Sequence, residues 1–110
     1  MLLYQDLTEK IIGSLYKVYN SLGFGYKEKE YQKAFEIELV KMGLSFKREL
    51  YCPLMYEGKI ISKFFADFQI EDKLVVELKV ANDFYLKHRQ QVLQYLKTND
   101  LRLGLIAIIK

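Results

Sequence analysis

Glu77 and Lys79 interrupt the run Leu74-Val75-Val76-Glu77-Leu78-Lys79-Val80, which is otherwise apolar and rich in valine and reads as a buried strand. Residues two apart on a strand share a face, so an acid and a base stand side by side there. Burying such charges is costly unless they pair or bind a metal, so this face is either solvated or a site. A second acid, Asp67, lies inside another apolar run, Phe64-Phe65-Ala66-Asp67-Phe68-Gln69-Ile70. Only Glu71-Asp72-Lys73 separates the two runs, a length that suits a hairpin. Asp67 and Glu77 are then at near-mirror distances from the turn and project from adjacent strands. Carboxylates so close repel unless a cation sits between them, and Mg²⁺ favours a few carboxylates with several waters. A lysine beside them can stabilise negative charge or activate a water.

Composition removes the competing chemistries. Cys52 is the one cysteine and His88 the one histidine, so structural zinc sites of cysteine and histidine are excluded. No serine sits in a nucleophile elbow. What remains for hydrolysis is carboxylate, lysine and a hard metal. A lone cysteine forms no internal disulfide, which agrees with a reducing cytoplasm, and beside Pro53 it reads as a small buried residue. The start of the chain lacks a signal-peptide pattern, and no stretch is long and apolar enough to span a membrane. Net charge is +3, with the basic residues dispersed, which permits contact with nucleic acid and does not by itself argue for it.

The elements that must carry these residues fit into one domain, residues 1–110. Leu7, Ile11, Leu15, Val18 and Leu22 follow helical spacing, with Asp6 or Thr8 as cap and Gly23 as stop. The turn Gly23-Phe24-Gly25 leads to a second helix, from about Lys27 to Met42, with an apolar stripe through Tyr31, Ala34, Phe35, Leu39 and Met42. Glu28 opens that helix, where the dipole favours an anion. Phe46 to Tyr56, Lys59 to Ile70 and Leu74 to Val80 form an antiparallel meander. A third helix runs from Asn82 to about Lys97. Leu101 to Ile109 is a last strand, parallel to the Leu74–Val80 strand after the helical crossover. The expected fold is α/β in the broad, α+β sense: a mixed four-stranded sheet flanked by helices, in the order ααβββαβ.

More of the chain follows one pattern. Gly25-Tyr26-Lys27-Glu28-Lys29-Glu30-Tyr31 spells G-x-x-E-x-x-Y, with Gln32-Lys33-Ala34-Phe35 after it. Ala66-Asp67-Phe68 supplies an aspartate block and Val76-Glu77-Leu78-Lys79 an E-x-K block. His88-Arg89-Gln90-Gln91, then Tyr95-Leu96-Lys97, form an H-x-x-Q…Y-L-K helix, and Gly104-Leu105-Ile106 a final strand. In this order, from about Leu7 to Ile109, the chain resembles the GxxExxY family of the PD-(D/E)XK nucleases. It departs at Phe24, at Val80-Ala81 and at Ala107-Ile108, none of which removes a candidate ligand.

The resemblance implies a restriction-endonuclease-like core and a nuclease that hydrolyses phosphodiester bonds with Mg²⁺ or Mn²⁺. Its substrate would be nucleic acid, DNA ahead of RNA. It implies Asp67, Glu77, the Leu78 carbonyl and Glu28 as metal ligands, and Lys79 as the group that positions water or neutralises phosphate. Gln91, on one helix face with Tyr95, would orient substrate or water. The alternative is a non-catalytic module on the same fold that binds nucleic acid or protein. The aromatic edge from Tyr51 to Tyr56 offers a surface for a homodimer.

Overall fold

The computed structural model describes residues 4–81 and 86–110. Helix α1 spans Gln5–Leu22 and α2 Glu28–Lys41. Strands β1, β2 and β3 span Phe46–Tyr56, Lys59–Ile70 and Leu74–Val80. Helix α3, Leu86–Thr98, and strand β4, Leu103–Ile109, complete the order ααβββαβ. The sheet order is β1-β2-β3-β4, with β1–β2 and β2–β3 antiparallel. The Ala81 amide donates to the Ile109 carbonyl at 3.0 Å, so the carboxyl ends of β3 and β4 lie together, as in a parallel pair. The result is the mixed four-stranded sheet with three helices expected above. The first residues of the expected third helix, 82–85, lie outside the described residues.

The described residues fall into two compact units, one of residues 4–45, 78–81 and 107–110 and one of residues 46–77 and 86–106. In the first, α1 and α2 bury Ile11, Val18, Tyr31, Phe35 and Leu39. Lys17 Nζ meets Glu38 Oε1 at 2.9 Å across the two helices. The expected cap of α1 is not seen. Tyr4 occupies the N-cap without a side-chain hydrogen bond, and Asp6 sits in the first turn. Thr8 is buried one turn inside, because the helix begins earlier than its apolar stripe. Gly23 and Gly25 both have positive φ, 75° and 104°, which a glycine adopts without strain and which turns the chain sharply into α2.

In the second unit the β1–β2 hairpin turns at Glu57 and Gly58, both with positive φ, as a two-residue turn of matching twist requires. Its inner residues Cys52 and Ala66 join Val75, Val92 and Tyr95 in one core, with Leu50, Phe64, Leu96, Leu101 and Ile106 packed around it. Gly104 is where β4 passes α3: a Cβ there would collide with Val92 Cγ1 and press on Val75 Cγ1 at 3.2 Å. Strand β4 begins at Leu103, two residues later than expected, because the Leu101 amide still closes the preceding helix on the Leu96 carbonyl.

Candidate active site

The first cluster forms on β2 and β3. Their register pairs Ile70 with Leu74, Gln69 with Val75 and Phe68 with Val76, and Asp67 and Glu77 are the residues just past the last of these pairs. There the Asp67 amide donates to Glu77 Oε1 at 2.8 Å, a bond from main chain to side chain. Glu77 is 1% exposed and Asp67 8%, so two carboxylates are held almost out of water. From the other flank Arg48 donates through Nε to the Asp67 carbonyl at 2.9 Å, with its guanidinium 4.1 Å from the Phe68 ring centroid. Asp67 is thus held through both its amide and its carbonyl.

The second cluster forms where α2 meets the end of β3. Glu28 Oε1 accepts from the Val80 amide at 3.0 Å, and Glu28 Oε2 lies 3.8 Å from Lys79 Nζ. One turn later Gln32, itself buried, donates from Nε2 to the Leu78 carbonyl at 3.2 Å. The G-x-x-E-x-x-Y residues therefore have separate jobs. Gly25 supplies the turn, Glu28 reaches β3, and Tyr31 donates its hydroxyl to the Gly23 carbonyl at 2.5 Å, fastening the turn to the helix.

The expected site residues thus come as two pairs, Asp67 with Glu77 and Glu28 with Lys79. Among the described residues no three of His, Cys, Asp and Glu gather closely enough to hold a metal ion. Leu78 presents its carbonyl to Gln32. Gln91 is half-buried on α3. Tyr95, its companion on the helix face, is a core residue whose hydroxyl donates to Gln69 Oε1. Burial pushes the Tyr95 phenol up, and Cys52 and Asp72 nearby add to the shift. Burial also pushes the Cys52 thiol up, against a hydrogen bond with Thr98. His88 is half-buried.

Two positioning contacts were not expected from sequence. Gln32 stands four residues after Glu28, hence on the same helix face, and is a polar residue beside the buried stripe of Tyr31 and Phe35. That conflict of type and place is the signal that marks it. Arg48 carried no such signal, because an arginine in an alternating strand reads as a solvated position.

A family model described as the PD-(D/E)XK nuclease superfamily matches residues 5–108. Comparison with curated proteins and with solved structures returns no match.

Proposed function

This chain belongs to the PD-(D/E)XK nuclease superfamily, and we infer that it is a metal-dependent nuclease that hydrolyses phosphodiester bonds, in DNA ahead of RNA. We assign it to the GxxExxY branch and treat residues 1–110 as a single nuclease domain. The observation that carries the reading is the contact of two buried acidic residues, the Asp67 main-chain amide donating to the Glu77 carboxylate, with Lys79 two residues after Glu77 on β3.

The donor set fits a hard divalent cation. Carboxylate and carbonyl oxygens suit Mg²⁺ and Mn²⁺, and a cation offsets the cost of burying two like charges together. Asp67, Glu77 and the Leu78 carbonyl are the groups that would hold it, with Glu28 assisting directly or through water. When bound, such an ion supplies Lewis acidity that makes a water nucleophilic near neutral pH and offsets charge developing on the phosphate. The protein supplies the rest. The Asp67 amide fixes the orientation of the Glu77 carboxylate, and Arg48 fixes the main chain of Asp67. Lys79 orients the attacking water or neutralises a phosphate oxygen. Glu28 holds the Lys79 ammonium and the amide after it, so the lysine enters the reaction from a set position. Gln91 is proposed to orient substrate or water.

Three further points belong to this reading. The buried lone Cys52 supports a reducing, cytoplasmic setting. Among the described residues no helix is long and apolar enough to cross a membrane. The outer strand β1 exposes Tyr51, Leu54, Met55 and Tyr56, which supports a contact between two copies of the chain.

A second reading, a non-catalytic module that binds nucleic acid or protein, is favoured by one observation: Lys79 makes an ion pair with Glu28, as a structural lysine would. Cleavage of linear, circular and single-stranded DNA and of RNA, with Mg²⁺ and with Mn²⁺, separates the two. The nuclease reading expects cleavage of DNA that disappears in Asp67→Asn. Nucleic-acid binding without cleavage under either metal would establish the module instead.

A further inference from the structure

We propose that Gln32 is a positioning residue that sets the place of Lys79 by holding the main chain in front of it. Gln32, a residue 6% exposed, donates from its side chain to the Leu78 carbonyl at 3.2 Å. One turn earlier on α2, Glu28 accepts from the Val80 amide at 3.0 Å. Residues four apart share a helix face, so two adjacent side chains of one helix grip the residues on either side of Lys79. The ammonium of Lys79 is itself 3.8 Å from the same glutamate. Lys79 cannot shift along or away from β3 without breaking one of these bonds.

The chemistry of position 32 supports a specific role. Burying an amide is costly unless its hydrogen bonds are made, and an apolar residue would fill the same volume at less cost. The donor is retained where it meets a carbonyl directly before the lysine. The consequence for catalysis rests on the nuclease reading; the grip on the main chain does not.

The experiment compares the wild type with Gln32→Met, which matches volume and removes the donor, and with Gln32→Asn, which keeps an amide too short to reach. The second serves if the first does not fold. Amide hydrogen exchange at Lys79 and Val80 is followed by NMR, and steady-state cleavage of DNA is measured with Mn²⁺. The expected result is exchange at both amides faster by tenfold or more. A fall in kcat of about 10- to 100-fold with little change in KM should accompany it, as displacement of a reacting group produces. Unchanged exchange overturns the proposal, and so does faster exchange with unchanged kcat in an active enzyme. If the wild type cleaves nothing, the nuclease reading fails, and exchange alone decides whether Gln32 holds the strand.

Discussion

Replacing Glu28 should divide its two contacts. Glu28→Gln keeps an oxygen for the Val80 amide and removes the charge that faces Lys79. Glu28→Ala removes both. At 3.8 Å the Coulomb attraction is about 4 kcal/mol if the effective dielectric is about 20. The Glu28 side chain is 36% exposed and that of Lys79 19%, so screening and the cost of ordering two long side chains reduce this to about 0.5–1 kcal/mol. The bond to the Val80 amide has an ionised acceptor and contributes about 1.5–3 kcal/mol. Glu28→Gln should therefore cost about 1 kcal/mol and Glu28→Ala about 2–4 kcal/mol. In thermal unfolding that is a fall in Tm of roughly 5 °C against one of roughly 10–20 °C. Urea unfolding of both variants, alone and with Lys79→Met, measures the same quantities as a cycle. Equal losses in Gln and Ala would refute the reasoning, since the charge and not the strand contact would then dominate. A loss in Glu28→Ala below about 0.5 kcal/mol would mean that the contact carries no weight in solution.

Gly104→Ala should destabilise by about 1–3 kcal/mol, read by urea unfolding, because its Cβ would collide with Val92 and press on Val75. Stability should fall as pH rises through about 9 and beyond. Cys52 and Tyr95 hold their protons more tightly when folded, so the unfolded chain ionises first and their contribution is lost above the unfolded values, 9.0 and 10.0. Tyr95→Phe should flatten the Tm profile in the upper part of that range and lower stability at neutral pH, where the bond to Gln69 is lost. Saturating Mn²⁺ should raise the Tm of the wild type and leave that of Asp67→Asn unchanged, because only the folded wild type offers both carboxylates to the ion.

The strands were legible because their cues are local. The alternating run from Phe46, the Glu57-Gly58 pair with positive φ and the three-residue break at Glu71 set the bounds of β1, β2 and β3 as expected. The short hairpin leaves few registers, and just past the paired residues the Asp67 amide reaches Glu77 Oε1. The start of α1 was less legible, because the helix runs past its apolar stripe to Tyr4, a residue no capping rule favours. The sequence places Tyr95 only on one helix face with Gln91, whereas its ring fills the core and only its hydroxyl needs a partner, a choice made by Cys52 and Val75 on distant strands. Gln32 needed the same kind of information: its acceptor, the Leu78 carbonyl, is forty-six residues away in sequence.

The central claim is that Asp67, Glu77 and Lys79 serve metal-dependent cleavage of a phosphodiester bond. Single-turnover cleavage of DNA across a Mn²⁺ titration, with Glu77→Gln and Lys79→Ala beside the wild type, tests it most directly. The account predicts cleavage that depends on metal in the wild type, a loss of about 100-fold or more in Lys79→Ala at saturating metal, and no recovery of Glu77→Gln at any Mn²⁺ concentration. Cleavage of equal rate in all three folded proteins, or none in the wild type with any divalent ion, would contradict it.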